Sequence, residues 1–329
     1  MKLLCWKLDR SWDWAMILSK LQKAIICQIL TVFFLLMPTL LLADPFTQND
    51  CRKLQPIDNE AKSPSKYVDA LLWKVTSDNR ESSYIFGTIH VSDPRIVKLP
   101  QPVSELLNTT DIFAMEALPE PEESLKLSQM MFFADGRTLK DYIDDSLFNK
   151  TAKILSAYEF PPEAVMLMKP WAAFLIMNYP AGEGLPLDIQ LLNRAKQNGA
   201  EIHGLESLSE QGDIFSTMSL GTQVQLLMDT VCNYDSIYDD FETMKLLYLN
   251  KDLKGLFIFS NKYSLTEEPL YKDLMKRLLT DRNYIMADRM QSILQKGNAF
   301  IAIGAMHLPG EEGVLSLLKK QGYKIHSVY

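Results

Sequence analysis

Two short segments of this chain share one pattern, an apolar run followed by glycine, two further residues and histidine. The first segment is YIFGTIH at residues 84–90, and the second is FIAIGAMH at residues 300–307. Short apolar runs bounded by turn signals are typical of buried strands, and open α/β sheets bind ligands at the carboxyl ends of their strands. We therefore expect both histidines to leave strands at a ligand-binding edge. The simpler alternative is that each histidine only hydrogen-bonds a backbone carbonyl.

Strand and helix patterns alternate along most of the chain, which predicts the fold class. Residues 71–75 and 84–89 flank a turn and predict a β-hairpin at the start of the domain. Strands separated by helices imply an α/β fold with a largely parallel central sheet flanked by helices. The later segments are predicted strands at 111–116, 201–206, 299–305 and 323–328, and predicted helices at 102–108, 188–198, 281–296 and 311–321.

Two long stretches without strand patterns interrupt this alternation. Residues 122–180 show helical periodicity and methionine-rich apolar clusters, so we expect a long helical insertion in the middle of the chain. The methionine clusters are interpreted as core, although a binding groove is the alternative. Residues 207–296 are also expected to be helical, with breaks at Gly255 and Pro269.

The first 43 residues are predicted to be a signal peptide rather than part of the fold. Lys20 and Lys23 precede the apolar run at 24–42, and the small residue Ala43 follows it. This is the order of a secretory signal, so we expect cleavage after Ala43 and an exported, periplasmic protein. An uncleaved membrane anchor is the alternative, since about 20 apolar residues span a bilayer.

The predicted translation start, linker and domain boundary follow from the signal-peptide interpretation. Translation is expected to start at Met1 or, with a more ordinary signal peptide, at Met16. The polar residues 44–66 are interpreted as a linker, and residues 67–329 as the α/β domain. Contact with a membrane is expected only through the N-terminal segment, if that segment is not cleaved.

Charge and cysteine content narrow the class of partner. The chain has 34 Lys and Arg against 41 Asp and Glu, and no basic cluster follows the N-terminal segment. We therefore expect no nucleic-acid partner.

An exported protein can form a disulfide between Cys51 and Cys232, the two cysteines left after cleavage, and two free thiols are the alternative.

Four of the predicted strands end in side chains that bind metals or transfer protons, namely His90, Glu116, Glu206 and His307. In a parallel sheet these ends share one edge. His90, His307 and Glu116 would form a three-ligand site that leaves a position for water, as in catalytic metal sites. The expected cofactor is a divalent metal ion, zinc, manganese or cobalt, because this ligand set does not select sharply among them. For each glutamate, a helix cap or a surface salt bridge is the alternative.

Glu206 and Arg282 are the candidate catalytic residues beside this metal site. Glu206 is suited to act as general base toward a metal-bound water. Arg282, at the start of a predicted helix, is suited to bind a substrate carboxylate or stabilise an oxyanion, and surface ion pairing is the alternative. His203 and His326 lie within predicted strands and are interpreted as structural.

These motifs resemble the TraB/PrgY/GumN family, which includes the Tiki proteins. The similar segments are LLWKV, SYIFGTIHVSDP, DIFAME, LPLDIQLLNRAKQNGAEIHGLESLSEQ, DRNYIMADRM and AFIAIGAMHLPGEEGVLSLLKKQGYKI, which together extend over about 71–328. The resemblance implies an α/β fold shared with erythromycin esterases and haem-associated ChaN-type proteins, and a metal-dependent protease or hydrolase activity. It matches His90, His307 and Glu116 to the family's site residues, and it places Glu206, Arg282 and Asn283 in other recurrent motifs.

The sequence therefore predicts an exported metal-dependent hydrolase, a peptidase in the first instance, acting on a peptide or small-molecule substrate. The alternative is a periplasmic protein that binds a peptide or haem through the same histidines without catalysis. A third alternative is a family member that acts only through protein contacts.

Overall fold

The sheet of this protein takes its strands from both ends and the middle of the domain. The computed structural model describes residues 52, 55, 57, 63–78, 80–179, 184–262 and 268–329. The strands are β1 (Leu72–Thr76), β2 (Ser83–Thr88), β3 (Ile112–Ala117), β4 (Glu201–Glu206), β5 (Ala299–Gly304) and β6 (Lys324–Ser327).

The order across the sheet is β4-β3-β5-β2-β1-β6. The four strands β4, β3, β5 and β2 run parallel to one another, whereas β1 pairs antiparallel with both β2 and β6. The predicted opening hairpin and the largely parallel sheet are therefore confirmed. All six residues of β3 and the first five of β5 are buried, which explains why both strands are continuous apolar runs in the sequence.

Helices connect the strands and flank the sheet, as the α/β prediction requires. They are α1 (Pro94–Val97), α2 (Gln101–Thr109), α3 (Pro121–Met130), α4 (Asp145–Leu155), α5 (Pro162–Leu167), α6 (Pro170–Met177), α7 (Leu187–Gln197), α8 (Leu208–Ser216), α9 (Leu220–Cys232), α10 (Ile237–Leu249), α11 (Leu253–Ser260), α12 (Pro269–Met275), α13 (Asp281–Lys296) and α14 (Val314–Lys320). A π-helical turn, Lys276–Thr280, joins α12 to α13.

Two predicted helix boundaries were wrong. Gly255 does not break a helix but lies in the first turn of α11, where its N–H donates to the capping side chain of Asp252 at 2.7 Å. The helix predicted at 311–321 begins later, at Val314, with Gly313 as its N-cap residue.

The buried apolar side chains form two separate clusters. One cluster packs the sheet against helices that include α7, α13 and α14. The other belongs to the helical region and is built around Trp171, whose ring stacks on Phe215 with a centroid distance of 5.8 Å. Met168 and Met177 are fully buried in this second cluster. The helical insertion therefore shares with the later helices α8, α9 and α12 a core separate from that of the sheet, to which its methionines contribute.

Both glycines of the repeated motif lie where a side chain would not fit. A Cβ on Gly87 would lie 2.7 Å from Leu308 Cδ1 and 3.1 Å from the Ala305 backbone. A Cβ on Gly304 would lie 3.1 Å from a carboxylate oxygen of Glu116. These glycines thus allow the segment after β5 to approach β2, and a glutamate to approach β5.

Arg52, from the predicted linker, contacts the helical region. Its guanidinium pairs with the buried carboxylate of Asp229, which also accepts a hydrogen bond from the Tyr271 hydroxyl at 3.0 Å. Cys232, at the end of α9, is disulfide-bonded. Its predicted partner Cys51 lies outside the described residues, so this pairing stays a prediction.

The predicted signal peptide, residues 1–43, also lies outside the described residues. Within the part of the chain that the structure describes, no helix is both long and apolar enough to cross a membrane.

Candidate functional site

Four neighbouring parallel strands each bring one predicted site residue to the same edge of the sheet. Going across the sheet, Glu206 ends β4, Glu116 is the penultimate residue of β3, His307 follows β5 and His90 follows β2. The strand register aligns these ends, since Thr88 pairs with Gly304 and Ala117 pairs with Glu206. The sequence-based expectation of a shared edge therefore agrees with the topology.

His90 is held by a carboxylate. Its Nδ1 lies 2.7 Å from Asp188 Oδ2, on the first turn of α7, and the other oxygen of Asp188 accepts from the Thr88 hydroxyl at 2.5 Å. Burial lowers the pKa of His90, but the charge and hydrogen bond of Asp188 outweigh burial and raise this pKa to about 9. The His90 side chain remains 40% exposed, with its Nε2 free of Asp188.

His307 is held by an amide instead. Its Nδ1 lies 2.6 Å from Asn283 Oδ1, while the Asn283 amide nitrogen donates to the Glu312 carbonyl at 2.8 Å. This second bond fixes the orientation of the amide, so His307 must carry its proton on Nδ1. Burial lowers the pKa of His307 to about 4 against the opposing charge of Glu116, so the ring is neutral at pH 7 and its Nε2 carries a lone pair.

Glu116 and Glu206 share one cation, the guanidinium of Arg282 on α13. Arg282 Nη2 lies 2.6 Å from Glu116 Oε2 and 2.7 Å from Glu206 Oε2, and Nε reaches both Glu206 oxygens at 3.0 and 3.1 Å. The remaining group, Nη1, contacts the Leu278 carbonyl at 3.2 Å and His307 Nε2 at 3.3 Å. All five N–H donors of the guanidinium are therefore engaged.

The charge of Glu116 follows from these contacts. Burial raises the pKa of this carboxyl, but His307, Arg282, His90 and the Gly304 N–H together lower it to about 2. The Gly304 N–H donates to Glu116 Oε1 at 2.5 Å. Glu116 is thus ionised at neutral pH although it is almost fully buried.

The donor atoms suit a divalent cation by their chemistry. Outer partners hold Nδ1 of both histidines, which is the usual arrangement around metal-binding histidines. Nε2 of His90 is not held by Asp188, whereas Nε2 of His307 accepts from Arg282 Nη1 at 3.3 Å. His307 Nε2 lies 3.7 Å from Glu116 Oε1, a gap that two metal–ligand bonds of about 2.0–2.2 Å can span.

The spacing, however, is not that of an assembled metal site. Among the residues described, no group of three or more His, Cys, Asp or Glu side chains is arranged to hold a metal ion. The positive charge beside Glu116 and His307 is supplied by Arg282. The metal-ligand roles of His90, Glu116 and His307, and the catalytic roles of Glu206 and Arg282, stay predictions.

The other histidines lie apart from this edge. His203 Nε2 contacts Glu201 Oε1 at 2.8 Å at the opposite end of β4. His326 is on β6 and lines a cavity of about 590 Å³ that contains none of the predicted site residues.

Sequence reasoning did not identify Asp188 as the partner of His90, nor the role of Asn283 as the partner of His307. The sequence places Asp188 only at the start of a helix, although an acidic residue two positions after a proline and between apolar residues is the available signal. Asn283 was noted only because it follows Arg282 in a motif of the resembling family. The pairing of each with its histidine depends on packing between helices and strands that are distant in sequence.

Comparisons with known proteins agree with the resemblance. The model of the TraB/PrgY/gumN family matches residues 71–327. The metalloprotease TIKI2 of Danio rerio is 23% identical over 317 residues, which cover 79% of this chain and 61% of that protein. The human metalloprotease TIKI1 is 23% identical over 328 residues, covering 81% of this chain and 63% of that protein. This chain thus spans about three fifths of the length of these relatives. No solved structure matches it.

Proposed function

The chain belongs to the TraB/PrgY/gumN family, and on this premise we propose that it is an exported metal-dependent hydrolase that cleaves peptide bonds. The relatives at 21–23% identity are metalloproteases by name, which supports metal-dependent proteolysis as the activity class. The substrate of this chain is proposed to be a peptide.

One observation carries the proposal. His90 and His307 leave adjacent parallel strands with Nδ1 held by Asp188 and Asn283, so that Nε2 is the nitrogen each ring would offer to a metal ion. For His307 this requires the ion to replace the contact with Arg282 Nη1. A histidine that served only as a strand cap would not need this outer support. Glu116, ionised and on the strand beside His307, supplies the carboxylate of the set.

His90, His307 and Glu116 would hold the ion, which we propose to be zinc, manganese or cobalt. When bound, such an ion lowers the pKa of a coordinated water and polarises a carbonyl group. Hydrolysis adds the water oxygen to the carbonyl carbon, breaks the carbon–nitrogen bond and transfers a proton to the leaving amine.

Glu206 is the proposed general base, and its contacts show that it also positions Arg282. Both of its oxygens accept hydrogen bonds from Arg282, so it also holds the guanidinium that contacts Glu116. We expect Glu206→Gln to slow turnover without removing metal if the carboxylate is the base. Loss of metal from Glu206→Gln would show instead that it only maintains the arrangement of the site.

Purified mature protein tests the proposal. Metal analysis should find one equivalent of a divalent ion, and a library of fluorogenic peptides should yield at least one that is cleaved. Activity should disappear with a chelator and return with the metal. Protein that holds no divalent ion and cleaves no peptide would refute the proposal.

Export is part of the same proposal. We propose that residues 1–43 are removed after Ala43 and that the product is periplasmic, on the basis of the basic, apolar and small-residue order of that segment. N-terminal sequencing of the protein from the periplasmic fraction should start at Asp44. A chain that begins at Met1 or Met16 and stays with the membranes would identify the segment as an anchor.

A binding protein without catalysis is the second candidate, and the position of Arg282 favours it. The guanidinium already forms ion pairs with both Glu116 and Glu206, so neither carboxylate requires a metal ion as its cationic partner. Such a protein would bind a peptide or haem at the same edge. Titration with haem, followed by absorbance, and with peptides, followed by calorimetry, distinguishes this candidate from a hydrolase.

A further inference from the structure

We propose that Tyr179 is a catalytic residue of this site: its hydroxyl donates a hydrogen bond to the carbonyl oxygen of the scissile bond as that oxygen gains negative charge. The inference rests on the proposed function. It brings a residue of the helical insertion into a site that the sequence assigned to the sheet edge alone.

The position of Tyr179 is the first argument. It follows α6, and its ring centroid lies 6.3 Å from that of His90, with the two planes tilted by 47°. The ring is 44% exposed, so it borders open space rather than core. Tyr179 therefore lines the side of the site next to the more accessible of the two motif histidines.

The surroundings of the hydroxyl are the second argument. Glu116 on β3, Asp188 on α7 and Arg282 on α13 all act electrostatically on this phenol, so Tyr179 lies within the electrostatic field of the site's charged groups. A tyrosine hydroxyl ordinarily has a pKa of about 10, so it carries the proton that a hydrogen-bond donor needs at neutral pH.

The absence of a hydrogen-bond partner for this hydroxyl among the described residues is the third argument. Arg282 is the strongest cation at this edge, but its five N–H groups are all engaged by Glu206, Glu116, Leu278 and His307. By contrast, the Tyr179 hydroxyl makes no hydrogen bond within the described residues. A donor that has its proton available and no partner among the described residues is suited to a developing oxyanion.

Hydrogen bonds with the helical region hold the backbone of Tyr179 in place. Its carbonyl accepts a hydrogen bond from the Tyr158 hydroxyl at 2.7 Å, and the Tyr158 oxygen lies 3.2 Å from that of Tyr234. The preceding Asn178 donates to the Thr230 hydroxyl at 3.2 Å on α9. Such anchoring places the ring before substrate arrives, which is what makes a hydrogen-bond donor effective in catalysis.

The test is Tyr179→Phe in the full mature protein loaded with its metal. With a fluorogenic peptide that the wild type cleaves, kcat should fall by about 100-fold, as for loss of one oxyanion donor, while KM changes by less than about twofold. The hydroxyl has no hydrogen-bond partner among the described residues, so the melting temperature should not change. Tyr284→Phe is the matched control, because this tyrosine is 50% exposed on α13 and its hydroxyl donates to Glu312 at 3.4 Å rather than to a predicted site residue.

A tetrahedral inhibitor gives a readout that a structural role would not affect. A phosphinic peptide should bind Tyr179→Phe more weakly by about the same factor as the loss in kcat/KM, while the cleaved product peptide binds equally well. Full kcat in Tyr179→Phe would overturn the role of Tyr179 and leave the proposed function intact. A wild type that cleaves no peptide would overturn the proposed function and this role with it.

Discussion

The segments 84–90 and 300–307 carry the same motif, yet the structure surrounds their histidines differently. His90 is partly exposed and paired with the carboxylate of Asp188, whereas His307 is buried, paired with the amide of Asn283 and next to Arg282. The pKa of the first is raised and that of the second is lowered. A repeated motif thus determines where a side chain lies, while its charge is set by partners from other parts of the chain.

The largest effect is expected from removing either histidine. His90→Ala and His307→Ala should each reduce turnover by more than about 1,000-fold, because a three-ligand catalytic site does not function with two ligands. Initial rates on the cleaved peptide measure this loss, and circular dichroism checks the fold. His203→Ala, which removes a histidine paired with Glu201 away from the site, should keep wild-type activity. Near-normal turnover in one of the two variants would show that the histidines do not share a function.

The next largest effect is expected from Arg282→Met, and it is an effect on stability. This substitution changes the surroundings of His307 rather than those of His90. It leaves the buried carboxylates of Glu116 and Glu206 without their cation, which we expect to cost about 3 kcal/mol in the free energy of unfolding. Urea denaturation measures this change. The control is Arg289→Met on the same helix, since the exposed pair of Arg289 with Glu210 is worth about 1 kcal/mol or less. Equal costs for the two variants would contradict the buried-network interpretation.

Asp188→Asn makes the surroundings of His90 resemble those of His307. An outer carboxylate increases the ligand strength of its histidine, so we expect metal affinity to fall by about 10- to 100-fold. Titration of the metal-free protein with zinc, against a competing chelator, gives this factor. Asp93→Asn is the matched control, because Asp93 contacts Arg95 and Lys245 rather than a predicted ligand. Unchanged affinity in Asp188→Asn would mean that His90 does not bind the ion.

The smallest effect concerns protonation of the metal-free protein. We expect NMR titration of the ring protons to find His90 protonated up to a pKa of about 9 and His307 neutral down to about 4. Relative to the ordinary value of 6.5, the raised pKa of His90 stabilises the fold below pH 6.5, and this contribution is lost as the pH rises toward 9. The lowered pKa of His307 acts in the opposite direction, so stability is lost as the pH falls from 6.5 toward 4. If His90 and His307 both titrated near pH 6.5, the two segments would not differ in the protonation of their histidines.

Much of the fold could be predicted because its signals are local. The apolar runs of β3 and β5, and the glycine that ends α7, Gly199 with φ +81°, each determine an element within a few residues. A parallel sheet then places the four strand ends at one edge. The positions of His90 and Glu116 at this edge follow from the parallel strand order, without knowledge of how the helices pack.

The partners of these residues could not be predicted in the same way. Asp188 is 98 residues from His90 in sequence and lies on a helix whose packing direction its periodicity does not specify. Arg282 was equally compatible with a surface ion pair, and its burial between two glutamates appears only once β3, β4 and α13 are assembled. Tyr179 carries no motif, and its position beside His90, with ring centroids 6.3 Å apart, appears only in the folded structure.

The location of β5 has a consequence for how this chain acquires its structure. Although β5 lies near the end of the chain, it is the strand between β2 and β3, and Phe300 pairs with Tyr84 and with Phe113. During synthesis, β2 and β3 therefore have no common partner until β5, residues 299–304, has left the ribosome. Contacts between segments so distant in sequence form slowly, because a long loop must be closed first. If the protein is exported as we propose, this late closure keeps the chain unfolded for translocation, and the site assembles only on the far side of the membrane.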